Sequence, residues 1–158
     1  MVMSFLLSVD AGLKTGLALF GRDGRLIWYR SQHYASLNRL KPAVYKIFNN
    51  TPQISILVIE GGGSVADIWV KEADRRNIAL YQISAETWRK KLLLQREQRT
   101  GSQAKKHAGV LAKKVIEWSG AKRPTSLRHD AAEAILSGLW GVLKAGWIKE
   151  LPRDVTTH

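Results

Sequence analysis

The chain has 158 residues, no cysteine, and 25 Lys/Arg against 13 Asp/Glu, for a formal net charge of +12. The length suits one domain with a sizeable core. Without Cys there is no disulfide, no Cys-ligated zinc and no thiol nucleophile, which is compatible with a reducing compartment.

Phe5 to Val9 is apolar at nearly every position, as for a strand buried on both faces, and it ends at a carboxylate, Asp10. The run is too short for a signal peptide or a membrane span, so a soluble, intracellular protein is expected. Ala11-Gly12, the polar step Lys14-Thr15-Gly16 and a second apolar run, Leu17 to Phe20, complete a β-hairpin pattern. Asp10 reads either as a residue that starts the turn or as a site residue at the strand end. Gly12 and Gly16 would permit close approach of a ligand.

Arg25 to Ser31 predicts a third strand, antiparallel to the second. Leu37 to Phe48 has helical spacing with Ser36 as N-cap, and Pro42 predicts a late start or a bend. Ile54 to Ile59 is β-branched and apolar and again ends in a carboxylate, Glu60, followed by Gly61 to Gly63. Two buried-strand patterns that each deliver one acid to a C-terminal end point to a site there, because ligands gather outside the carboxyl ends of parallel strands.

Ser64 to Arg76 predicts a helix capped by Ser64, and Ile78 to Ile83 a fifth strand. A helix runs from Ser84 to Leu94, a polar and mobile segment from Gln95 to Gly101, and a further helix, capped by Ser102, to about Trp118. That helix has an apolar stripe of Ala104, Ala108, Leu111, Val115 and Ile116, opposite a basic face of Lys105, Lys106 and Lys113. Between Glu86 and Arg128 there are 12 Lys/Arg and three Asp/Glu, so this segment holds +9 of the net charge. Such a concentration suggests a polyanion partner, most often nucleic acid.

The last helix runs from His129 to Leu143 and is almost wholly apolar after its first turn. Asp130 and Glu133 stand three apart on one helical face. The helix dipole accounts easily for Asp130 and less well for Glu133. Asp10, Glu60, Asp130 and Glu133 together make an oxygen-only donor set, which suits Mg²⁺ or Mn²⁺. Beside a strongly basic surface, such a set suggests metal-assisted attack of water on a phosphodiester.

At these residues the chain resembles the RuvC family of Holliday-junction resolvases, in the ribonuclease H-like superfamily, with phage-type members nearest in flavour. Asp10-Ala11-Gly12-Leu13-Lys14-Thr15-Gly16 is similar to the family's Asp-x-Gly-x-x-x-Gly step, and Val58-Ile59-Glu60 to its second acidic strand. Gly101 to Lys106 loosely resembles its lead-in to a DNA-binding helix. Asp130-Ala131-Ala132-Glu133-Ala134 matches its closing Asp-Ala-Ala-Asp-Ala, with Glu in the last acidic place. Three glycines stand where the family often has an aromatic wedge; Trp69 or another aromatic substitutes for it, or the role is absent.

The resemblance implies an α/β, ribonuclease H-like fold: a five-stranded mixed sheet flanked by helices, in one nuclease domain over residues 1–150 with a short tail at 151–158. It implies a homodimer acting on four-way DNA junctions, with a dimer seam near Ser64 to Arg76, and cytoplasmic, DNA-associated localisation. Asp10 would bridge two Mg²⁺ ions, Glu60 would hold one, and Asp130 with Glu133 the other. Paired nicks would leave 5′-phosphates. Phosphate contacts are expected from Arg89, Lys90, Lys91, Lys105, Lys106, Lys113 and Lys114. His129 would be a phosphate contact, a proton carrier or an ordinary helix-start residue. A ribonuclease H acting on RNA–DNA hybrids, an actin-like ATP-binding domain and a non-catalytic DNA-binding protein remain rivals.

Overall fold

The alternation of apolar side chains along the strands decides how the layers form. The computed structural model describes residues 3–156. Its strands are β1 (Phe5–Asp10), β2 (Lys14–Phe20), β3 (Leu26–His33), β4 (Ile54–Glu60) and β5 (Ala79–Ile83), in the sheet order β3-β2-β1-β4-β5. β1, β2 and β3 pair antiparallel, and β4 is parallel to both β1 and β5, as expected.

The helices are α1 (Leu37–Asn50), α2 (Gly63–Arg75), α3 (Ala85–Leu92), α4 (Gly101–Ser119) and α5 (His129–Lys144). Successive strand side chains point to opposite faces. Leu7, Val9, Leu17, Leu19, Leu57 and Ile59 therefore pack with α1 and α2, the two parallel crossovers. Leu6, Ala18, Phe20 and Val58 pack with α3, α4 and α5 on the other face. α5 is buried almost throughout from Ala131 to Val142. It can lie this close to the sheet because Gly138 has no side chain: a Cβ there would collide with the ring of Phe20.

Several sequence expectations are corrected at the helix ends. Ser36 caps α1 as expected, accepting from Arg39 N at 3.3 Å, and Pro42 does not delay the start. A proline one turn into a helix removes only one backbone donor, and packing of Leu40, Val44 and Phe48 offsets that loss. α2 begins one residue earlier than Ser64, with Gly62 as N-cap; Gly61 and Gly63, at φ 110° and 81°, give the backbone this sharper entry. Thr100, not Ser102, caps α4, accepting from Gln103 N at 3.0 Å. Gln95–Gln98, expected as a mobile segment, forms a 3₁₀ turn in which Glu97 accepts from Leu94 N at 2.8 Å.

Residues 151–156 pack back onto the domain. Val155 is fully buried in the α3–α5 core and Leu151 packs against it, so these two residues of the expected tail contribute to the core. Among the described residues, no helix is long and apolar enough to cross a membrane.

Candidate active site

One transverse row of the sheet carries the site. Asp10 on β1 lies opposite Glu60 of β4 on one side and Gly16 of β2 on the other; Gly16 in turn lies opposite Ser31 of β3. Neighbouring strands are about 4.8 Å apart, so Glu60, Asp10, Gly16 and Ser31 span about 14 Å of sheet edge. All four belong to the face covered by α3, α4 and α5.

The first turn of α5 lies across this row, and Gly16 makes that possible. A Cβ at Gly16 would overlap the backbone carbonyl of Asp130. The close approach foreseen at this glycine is therefore by a helix of the same chain, not by a ligand. It brings Asp130 and Glu133 over the strand ends that bear Asp10 and Glu60, so the four acids converge although they come from three distant parts of the sequence.

Each of the acids of β4 and α5 has a protein partner. The indole Nε1–H of Trp88, fully buried on α3, donates to Glu60 Oε1. Ser31 Oγ donates to the Asp130 carboxylate at 2.7 and 2.8 Å, and the Ala131 N–H donates to it at 2.9 Å. Glu133, only 4% exposed, has Oε1 2.9 Å from His129 Nε2 and 3.4 Å from Arg89 Nη2. Its Oε2 is buried without a hydrogen-bond partner.

The electrostatics follow from crowding acids in a dry place. Burial, then the charge of Glu60, pushes the Asp10 carboxyl up to about 8; Glu133 and Asp130 add to the effect. Burial, then Glu60, pushes Glu133 up to about 7, and Arg89 opposes the rise. His129 is lowered by burial and by the nearby charges of Lys105 and Arg89, against Asp130 and Glu60.

A hard divalent cation fits this donor set by its chemistry. The ligands are carboxylate oxygens, one of them an unpartnered buried atom, and their mutual repulsion calls for a counter-charge. As the side chains lie, no three His, Asp or Glu among the described residues stand together as a chelating group. Glu60 takes the Trp88 indole N–H while facing Asp10 and Glu133, and Asp130 is held separately by Ser31. The backbones converge, and re-aiming of carboxylate tips is what cation binding would require.

The expected phosphate contacts are spread more widely. Arg89 turns inward to Glu133, with its guanidinium also 5.4 Å from the Trp88 ring. Lys90 pairs with Glu86 at 3.1 Å on an open surface. Lys91 borders a separate hollow with Trp140, Lys144 and Lys149. Lys105 stands close enough to His129 to lower its pKa, which puts it at the rim of the acid row. Lys106 and Lys113 are exposed on α4 and Lys114 is half-buried. Trp69 is fully buried on the opposite face of the sheet, edge-on to Phe48, and so cannot act as a wedge.

Trp88 and Ser31 escaped the sequence reading. In the sequence Trp88 is one apolar residue beside Arg89-Lys90-Lys91, and Ser31 is the last residue of the expected third strand. The available signal for Ser31 was its place opposite Gly16 once the two hairpins are put in register.

An α/β chain with this strand order, and acids at the ends of β1 and β4 beneath an acidic helix turn, has the ribonuclease H-like architecture. More narrowly, the fold is RuvC-like. A structure of Thermus thermophilus RuvC in complex with a Holliday junction substrate matches it with a TM-score of 0.63 and 12% identity, covering 90% of this chain and 96% of that one. A second Thermus thermophilus RuvC structure matches with a TM-score of 0.61 and 11% identity, covering 89% and 94%. No family model matches the chain, and no curated protein matches it in sequence.

Proposed function

We propose that this chain is a metal-dependent nuclease that resolves four-way DNA junctions by paired nicks. The observation that carries the proposal is the convergence of Asp10, Glu60, Asp130 and Glu133 on one sheet row of a RuvC-like fold, with Asp10 and Glu133 pushed up toward neutrality. Asp10, Glu60, Asp130 and Glu133 would hold Mg²⁺, with Mn²⁺ able to substitute. When bound, such ions activate water and neutralise charge on the leaving 3′ oxygen.

The chain's own side chains orient that chemistry. Trp88 holds one oxygen of Glu60, and Ser31 holds both oxygens of Asp130. Arg89 and His129 hold Oε1 of Glu133, leaving Oε2 free of protein partners. Lys105 offers positive charge at the rim, where the phosphate backbone would approach. A junction needs two cuts related by its two-fold symmetry, and the acids occur once per chain. Two copies are therefore required, and a two-fold dimer is the simplest arrangement. The seam proposed for it is the outer side of α2, where Asp67, Lys71 and Arg75 border a hollow of about 500 Å³ against Lys41 and Tyr45 of α1.

The test is cleavage of a cruciform plasmid, with four-way junction, linear duplex and RNA–DNA hybrid as companion substrates, with and without Mg²⁺. Paired nicking gives linear product directly and 5′-phosphate ends. Accumulation of open circles together with preference for the hybrid would replace this reading with a ribonuclease H activity.

A further inference from the structure

A groove of about 560 Å³ opens at the β3 end of the acid row, the end opposite Trp88. Lys14, His33, Arg128 and His129 line it together with Ser31 and Asp130. Lys14 and His33 are cross-strand partners, two residues beyond the Gly16–Ser31 pair and so about 7 Å from it along the strands. The groove therefore leads directly off the site, with the Asp130 carboxylate, held by Ser31, on the wall between them.

Its two permanent cations are not used elsewhere in the fold. Arg22, Arg25 and Arg30 stack on Trp147, Trp118 and Trp28, and Arg75, Arg76 and Arg89 reach carboxylates. Lys14 and Arg128 have neither kind of partner among the described residues. Arg128 occupies the N-cap of α5 without a side-chain cap bond, so its guanidinium has no structural task there. Surface cations of this kind are ordinarily just solvated. Here both border one concave hollow that adjoins a cluster of acids, and no carboxylate other than Asp130 lines it.

We propose that this groove binds the phosphodiester backbone of the cut strand, with Lys14 and Arg128 holding phosphates next to the one attacked, while Lys105 meets the substrate at the rim beside His129. Point charges suit the task, because phosphate contacts set the register of a nucleic acid on a protein without reading its sequence. This inference rests on the nuclease reading and adds to it a second basic flank outside α3 and α4.

The experiment uses the full chain and its Lys14→Gln/Arg128→Gln variant, with a four-way junction in EDTA and neutral methylphosphonate linkages placed singly on either side of the cut phosphate. In the wild type, one or two adjacent linkages should weaken binding when neutralised, and in the variant the same linkages should be silent. The log–log salt slope of the variant should be shallower by about 1.8, or about 0.9 for each phosphate that the protein no longer neutralises. A variant with the wild-type slope and interference pattern overturns the groove and leaves the nuclease reading standing, provided the wild type cuts junctions. A wild type that binds no nucleic acid overturns both. Should the double variant melt early, Lys14→Gln alone carries the test, with half the change in slope; a destabilised fold would lower affinity without silencing particular linkages.

Discussion

Gly16 and Asp130 touch through their backbones: the space a Gly16 side chain would fill is occupied by the Asp130 carbonyl and the following Ala131 N–H. This contact sets how deeply the first turn of α5 sits over the strand ends. It links the opening hairpin to the closing acidic helix and so brings together carboxylates 120 positions apart in the chain.

Gly16→Ala tests that link. The added methyl must push the α5 turn away from β2, since backbone cannot step aside as a flexible side chain can. Overpacking of this kind costs about 1–3 kcal/mol. Cleavage should fall by more than the stability loss explains, with the protein still folded by circular dichroism. A variant that cuts at the wild-type rate would show that the spacing of α5 over Asp10 is not critical.

Trp88→Phe keeps the aromatic bulk in the core and removes only the N–H that Glu60 accepts. A hydrogen bond to a charged group is worth about 1.5–3 kcal/mol, so kcat should drop about tenfold or more if Glu60 acts in the transition state. Binding of junction DNA without divalent cation should be unchanged. Equal activity of the two proteins would make Trp88 a packing residue alone.

The acid row also predicts a pH-dependent stability. Asp10, pushed up to about 8, and Glu133, pushed up to about 7, hold protons in the folded chain that the unfolded chain has already lost. Their contribution is fully present below about pH 4, near their unfolded values, and is lost as pH rises through about 7 and 8. Asp10→Asn removes the larger share of this loss. In EDTA above about pH 8 it should melt at least about 2 °C above the wild type, with the gap closing at acid pH. Mn²⁺ should raise the wild-type melting temperature at alkaline pH and act much less on the variant. A variant that melts no higher than wild type at alkaline pH would mean that Asp10 ionises without cost.

Much of this molecule was legible in the order of its residues. The apolar runs ending at Asp10 and Glu60 read as inner strands, because they are short, apolar on both faces and followed by glycine-containing turns. The apolar length of α5 marked it as core and placed its two acids at one end of that core helix. The charge between Glu86 and Arg128 was a matter of counting. Local pattern reaches this far because strand and helix periodicity are properties of neighbouring residues.

What pairing and packing bring together lies beyond that reach. Ser31 meets Asp130, and Trp88 meets Glu60, only after five strands are in register and two helices are docked. Arg89, which the sequence offers as a phosphate contact, faces Glu133, where a cation beside a buried carboxylate lowers the cost of burying it. Lys14 and Arg128 are separated by more than a hundred positions, and no spacing rule joins them. They border one groove because Gly16 lets α5 rest on β2, a contact set by the absence of a side chain and decided by tertiary packing alone.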